Sequence, residues 1–217
     1  FSGVLERECH TDKGPLPVLS NVSVRPIRIT GDPVLHTPAR PVTNFGEELD
    51  ELVLDMIDTM REAPGVGLAA PQIGVDLQVF VWEWSDEQDK LHEGAIVNPV
   101  LSLGQRERGP LDEEGEIEGC LSVPDFRYPL RRASDVVLSG LDPQGHALSI
   151  SAEGWLARIF QHEFDHLQGR LYIDRLAWRL RREARRDIRR EGFGQPGRSW
   201  LPGVDSYEES DHEAEEA

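Results

Sequence analysis

The order of segments along the chain predicts an α+β fold in which antiparallel and mixed β-sheets pack around a central helix. Three observations carry this reading. Two stretches place apolar residues at the three-and-four spacing of a helix face, runs rich in Val, Ile, Phe and Trp lie between them, and those runs show no regular strand-helix alternation of the kind a parallel sheet needs.

The first helix is predicted between Glu47 and Glu62, where Leu49, Leu52, Val53, Met56, Ile57 and Met60 share one face and Pro64-Gly65 ends the repeat. A tight glycine-rich turn is expected next. Residues 77–84 and 95–103 are dense in strand-forming side chains and read as strands buried on at least one face. Residues 136–141 and 146–151 flank Asp142-Pro143-Gln144-Gly145, a turn sequence, and read as a hairpin. Over 153–168, Leu156, Ile159, Phe160, Phe164 and Leu167 return to helical spacing, with Gly169 where a helix would stop. Beyond Asp174 the chain turns basic. Eight arginines from Arg175 to Arg190, interleaved with Glu183 and Asp187, predict a C-terminal Arg-rich helix with internal ion pairs.

A length of 217 residues suits one well-filled domain, expected over 24–203. Residues 1–23 lack periodicity and read as a flexible N-terminal arm, whereas 204–217, with seven acidic residues and no Lys or Arg, read as a disordered acidic tail. The first twenty residues lack the apolar core of a signal peptide, and no apolar run reaches spanning length. A cytoplasmic protein whose start is truncated or processed, with no membrane partner, is expected. The formal net charge of −17 disfavours DNA as a partner for the whole chain but leaves room for a local basic patch. Two cysteines far apart, Cys9 and Cys120, make a disulfide framework a poor reading, and Cys9 reads as inert.

The chemistry concentrates in three segments. Gln161-His162-Glu163-Phe164-Asp165-His166 sets an H-E-x-x-H pattern on the second predicted helix. Residues four apart share a helix face, so both imidazoles can reach one metal ion while Glu163 stands close enough to take a proton from water. A solvated face carrying the same residues is the plainer alternative, and the apolar neighbours weigh against it. An ion that activates water needs a third protein ligand and an open position. Proteases of the long H-E-x-x-H type place a histidine where Tyr172 stands, so the third ligand lies elsewhere. Cys120, within Glu118-Gly119-Cys120-Leu121-Ser122, offers a thiolate, or else fills space as a small buried apolar residue. Finally, the run from Gly65 to Gly74, with Gly67 and Gln72, either brings a substrate backbone close or simply serves a turn.

In this order and with this content, the three segments resemble the motifs G-φ-G-φ-A-A-x-Q, E-G-C-L-S and Q-H-E-x-D-H of the peptide deformylases. The similarity extends over about residues 24–203, and Val24-Arg25-Pro26-Ile27 and Ser199-Trp200-Leu201-Pro202-Gly203 resemble the actinobacterial branch. The resemblance implies a hydrolase that removes the formyl group from N-formylmethionyl nascent chains. It implies Cys120, His162 and His166 as ligands of one divalent metal, Fe2+ in the cell with Zn2+ or Ni2+ able to substitute. Glu163 would be the general base, with the Gln72 amide and the Leu121 backbone N–H holding the oxyanion. Val66, Ile159 and the stem of Arg158 would line the methionine pocket, with Gly67, Glu118 and Gly119 among the substrate-binding positions. The Arg-rich run suggests ribosome docking through phosphate contacts, or else a solvated helix face. A zinc endopeptidase and a metal-stabilised interaction module remain the competing readings.

Overall fold

The computed structural model describes residues 24–105 and 109–205. The arm expected over 1–23 and the acidic tail beyond residue 205 lie outside the described residues; Val204 and Asp205 close a turn in which Leu201 N–H donates to Asp205 Oδ2 at 2.7 Å. The chain runs β1 (Ile27–Arg28), α1 (Glu47–Glu62), β2 (Gly67–Ala69), β3 (Val79–Ser85), β4 (Leu91–Leu103), β5 (Ile117–Cys120) and β6 (Val123–Pro129). It continues through β7 (Asp135–Leu141), β8 (Ala147–Glu153), α2 (Gly154–Leu167), α3 (Trp178–Arg190) and β9 (Ser199–Trp200). Among the described residues, no helix is long and apolar enough to cross a membrane.

A five-stranded sheet of order β2-β3-β4-β7-β8 forms the body, and β5-β6 and β1-β9 form separate pairs. Every ladder among the described residues is antiparallel; the mixed character expected of the sheets reduces to one isolated parallel bridge, Arg40 to Leu77. The cause is connectivity: parallel neighbours need a crossover of a dozen or more residues, and here successive strands mostly join by short turns.

Both apolar helices form where their spacing places them. Helix α1 buries Leu49, Val53, Met56 and Met60, and its first turn carries Glu47, Glu48 and Asp50, whose charge suits the positive end of the helix dipole. Helix α2 lies in the core, where Phe160 meets Trp82 edge-on with centroids 5.0 Å apart and Phe80 at 6.1 Å. Such contacts add about 0.5–1.5 kcal/mol each beyond the area they bury. The helix ends on a Schellman turn, in which Gly169 N–H donates to His166 O and Arg170 N–H to Asp165 O, both at 3.0 Å. Gly169 has φ of +67°, and a Cβ there would meet the Thr37 backbone at 2.6 Å, so glycine is required.

Two polar ties fix α2 against the strands. Gln161 clamps the backbone of Ala133, two residues ahead of β7: its Oε1 accepts from Ala133 N–H at 2.9 Å and its Nε2 donates to Ala133 O at 3.0 Å. Arg132 lies between two carboxylates, donating to Glu118 Oε1 on β5 and to Asp165 Oδ2 on α2, each at 2.6 Å. The three side chains are only 8%, 5% and 4% exposed, and Arg158 and Arg175 complete the charge balance at Glu118 and Asp165. Burial acts to raise the Glu118 pKa, but Arg132 and His162 hold it well below the usual carboxylate range.

Three elements differ from expectation. Residues 65–74 do not form a simple turn, because Leu68, Ala69 and Ala70 are buried: β2 and a 3-10 turn, Ala70–Ile73, occupy the segment. Strand β4 starts at Leu91, not at residue 95, since Leu91, His92, Glu93 and Gly94 already pair with β3, from Ser85 back to Trp82. Strands β5 and β6 escaped notice because one is short and charged and the other carries two prolines, a composition that fits an isolated two-stranded pair but not a central strand. The buried ion network sets a stability expectation. Replacing Arg132 by Met leaves two buried carboxylates without their shared cation, and urea unfolding should show a loss of about 3–5 kcal/mol; a loss below about 1 kcal/mol would contradict the role given to this residue.

Candidate metal centre

Cys120 stands at the end of β5, where the register with β6 shifts between Gly119 and Cys120 and turns the thiol out of the ladder. His162 and His166, one helical turn apart on α2, face it. Their Nε2 atoms are 3.3 Å apart, Cys120 Sγ is 3.3 Å from His166 Nε2, and the ligand atoms of all three residues lie within 4.8 Å of one another. The expected set therefore converges, although 42 positions of chain separate Cys120 from His162.

The electrostatics suit a cation. His162 Nδ1 bonds Glu118 Oε1 at 2.7 Å, which places its proton on Nδ1 and leaves Nε2 free to coordinate. Burial acts to lower the His162 pKa, yet the neighbouring Cys120 and Glu118 raise it well above its usual value, so a metal binding at Nε2 would take the place of a proton held there. His166 is pushed well down, by burial first and by His162 next, and stays in the neutral form a ligand needs. One soft thiolate and two imidazoles make a donor set that fits Fe2+, Zn2+ or Ni2+.

Glu163 lies beside the triangle. It is buried, its Oε2 has no hydrogen-bond partner, and burial lifts its pKa to about 7. A cation held by the three ligands would act in the opposite sense. Its carboxylate fills the space that Gly67 leaves: a Cβ on Gly67 would meet Glu163 Cδ at 2.8 Å and Cγ at 2.9 Å. Gly67 also lines the cleft, so making room for Glu163 is a second use of the glycine beside the substrate approach expected of it.

Gln72 is buried beneath the cleft. Ala69 N–H donates to its Oε1 at 2.8 Å, which turns the amide nitrogen toward Ser122 Oγ at 3.3 Å and Cys120 Sγ at 3.9 Å. The remaining expected positions line one open cleft of about 1300 Å³ over the triangle. Within it Val66 is 40% exposed at the rim and Ile159 is 3% exposed. The Arg158 guanidinium packs over the Trp155 ring at 5.5 Å and donates to Glu118 Oε2 at 3.0 Å, so its charge is committed and its stem faces the cleft. Gly119, Leu121 and Glu118 complete the wall from the β5 side.

Several participants were not foreseen. Arg132 orients Glu118, and Ser122 is fully buried against Gln72. The Tyr172 ring stacks on His162 with centroids 6.1 Å apart, while its hydroxyl donates to Phe126 O at 2.8 Å. Only Tyr172 carried a signal, as the residue standing where a zinc protease would have its third histidine.

Comparison with known proteins agrees with this geometry. The sequence profile of the Polypeptide deformylase family matches residues 24–182. The chain is 45% identical over 201 residues to a peptide deformylase of Tropheryma whipplei strain Twist, covering 88% of this chain and 87% of that protein. It is 46% identical over 185 residues to peptide deformylase 2 of Corynebacterium efficiens, covering 85% and 96%. The crystal structure of a peptide deformylase from Legionella pneumophila superposes with a TM-score of 0.68 at 41% identity, over 78% of this chain and 96% of that one. A matched profile across most of the chain, close relatives over nearly their full length and one shared architecture together assign it: this chain belongs to the polypeptide deformylase family.

Proposed function

We propose that this member of the family hydrolyses the N-terminal formamide of formylmethionyl nascent polypeptides, with Glu163 as general base and Cys120, His162 and His166 as ligands of one divalent metal. The observation that carries the reading is a buried Glu163 carboxyl, its Oε2 without a hydrogen-bond partner, beside three converging side chains on the floor of an open cleft. The metal, when bound, supplies Lewis acidity, polarising the formyl carbonyl and making water acidic enough to surrender a proton near neutrality.

Glu163 accepts that proton as the water oxygen bonds to the formyl carbon. The carbonyl π pair moves to oxygen, where the Gln72 amide and the Leu121 backbone N–H donate to the developing charge. Collapse breaks the carbon–nitrogen bond, Glu163 returns its proton to the departing amine, and formate is released. Val66, Ile159 and the Arg158 stem receive the methionine side chain, while the β5 segment Glu118-Gly119 accepts the substrate backbone as an added strand. Residues 24–203 act as one catalytic domain, consistent with the pairing of β1 and β9 near its two ends. Ferrous iron serves in the cell, and the compartment is the cytoplasm, where nascent chains emerge.

Helix α3 docks this enzyme on the ribosome. Its inner face is anchored by Ala184 and Ile188 and by Tyr128 O–H donating to Asp187 Oδ2 at 2.7 Å, which leaves Arg182, Arg185 and Arg189 exposed beside Trp178, itself 71% exposed. Exposed arginines on one face neutralise phosphates.

Incubation with a formyl-Met peptide should release formate, and a chelator should abolish it. Glu163→Ala should bind metal with wild-type stoichiometry yet lose about 10²–10⁴ in kcat; wild-type turnover in this variant would overturn the assignment of the base. Gly67→Ala forces the Glu163 carboxylate to move, so its kcat should drop roughly 10²-fold while thermal unfolding shows a folded protein. Undiminished turnover would mean that Glu163 tolerates displacement. Ribosome cosedimentation should weaken as salt rises, and the double variant Arg185→Glu, Arg189→Glu should lose it with peptide turnover unchanged. Salt-independent or absent association would leave α3 as a solvated helix.

A further inference from the structure

The turn that joins β5 to β6 carries an unusual share of the site. Cys120 and Val123 pair across it, so Leu121 and Ser122 form its tip beyond the regular ladder. Such a tip has few backbone bonds of its own, and the contacts that hold it come from elsewhere. Thr30 N–H donates to Ser122 O at 2.8 Å, Ser122 N–H reaches Cys120 Sγ at 3.4 Å, and Gln72 Nε2 donates to Ser122 Oγ at 3.3 Å. A further contact comes from the Trp200 indole N–H, which donates to Leu121 O at 2.9 Å.

Trp200 comes from β9, 79 positions from Leu121 and beyond the stretch 24–182 that the family profile matches. Strand β9 pairs with β1 through Ile27 and Trp200, and Ile29 N–H donates to Arg198 O at 3.0 Å. The β1 and β9 strands are thus joined to each other, and the tip is reached from β9 through Trp200 and from the segment just after β1 through Thr30. Trp200 also lines the cleft. The Leu121 carbonyl belongs to the peptide plane on its Ser122 side and the Leu121 N–H to the plane on its Cys120 side, so the Trp200 bond restrains one plane and the anchoring of Cys120 at the end of β5 the other, leaving little freedom about the Leu121 Cα.

We propose that Trp200 is a positioning residue for deformylation: its indole N–H holds the Leu121 carbonyl and thereby aims the Leu121 N–H at the oxyanion. The inference rests on the role given to Leu121 above. A donor whose direction is set in advance stabilises the transition state more than the ground state, so its loss is read in kcat and not in KM.

The test compares Trp200→Phe, which keeps an aromatic ring in β9 but has no donor, with Ile27→Val, which loosens the same strand pair without touching the bond. Each is made in the full chain and loaded with metal. Trp200→Phe is expected to lower kcat about ten- to hundredfold with KM for a formyl-Met peptide within about twofold, unchanged metal stoichiometry, and an unfolding temperature no lower than that of Ile27→Val. In the metal-free full chain it should also speed amide hydrogen exchange at residues 121–123, a readout independent of turnover. Ile27→Val should retain kcat. Unchanged kcat in Trp200→Phe, a fall matched by Ile27→Val, or a fall that follows metal loss would each overturn the proposal. Glu163→Ala and Gln72→Ala run alongside: if they lose turnover while Trp200→Phe keeps it, this inference alone has failed. If they keep it, the reading of the site itself has failed.

Discussion

The guanidinium of Arg132 is the point on which the candidate metal centre leans. It bonds Glu118 on β5 and Asp165 on α2 at once, so one buried cation binds together the two elements that carry the proposed metal ligands. Glu118 in turn holds Nδ1 of His162. The orientation of a ligand is therefore set by an ion pair two side chains away, in a place where water does not compete for either charge. Such a network is costly to bury and strongly destabilising to break, which ties the geometry of the site to the integrity of the fold.

Around this frame the chain keeps one charged group deliberately short of partners. Glu163 is as buried as its neighbours, yet its Oε2 lacks a hydrogen bond, and the space for its carboxylate is created by the missing side chain of Gly67. A carboxylate satisfied by an arginine would be too weak a base near neutrality, whereas one raised by burial remains able to accept a proton. Glu118 and Glu163, close in space, are driven in opposite directions: guanidinium and imidazole bonds lower one, and burial raises the other, whose Oε2 has no hydrogen-bond partner.

Charge is also sorted at the scale of the whole molecule. The chain carries a formal net charge of −17, yet helix α3 presents arginines along its outer face while its inner face is held by Tyr128 and Asp187. Segregation of this kind keeps a basic surface available on an acidic protein. The same inner face packs near Phe126, Tyr128 and Tyr172, and Tyr172 stacks on His162, so the packing that seats α3 is continuous with the packing that seats a ligand.

Much of this was legible in the residues themselves. Helices α1 and α2, the β7-β8 hairpin and the pairing of His162 with His166 all follow from spacings of two, three and four, which are local properties of a backbone. Cys120 and Gln72 stood as candidates on residue type alone, each with a plainer alternative, and the motif resemblance implied their roles. Hidden from any such reading were β5 and β6, whose charges and prolines match no strand pattern, and the uses of Arg132, Gly67 and Trp200. The chain has many arginines, glycines and several tryptophans, and nothing local distinguishes the one that meets a buried carboxylate, yields room to a base or caps a distant carbonyl. Local periodicity determined which faces would be buried and which side chains could share a metal. Only the folded chain decided which remote groups would hold them, because those bonds form between segments whose separation along the sequence carries no information about their meeting in space.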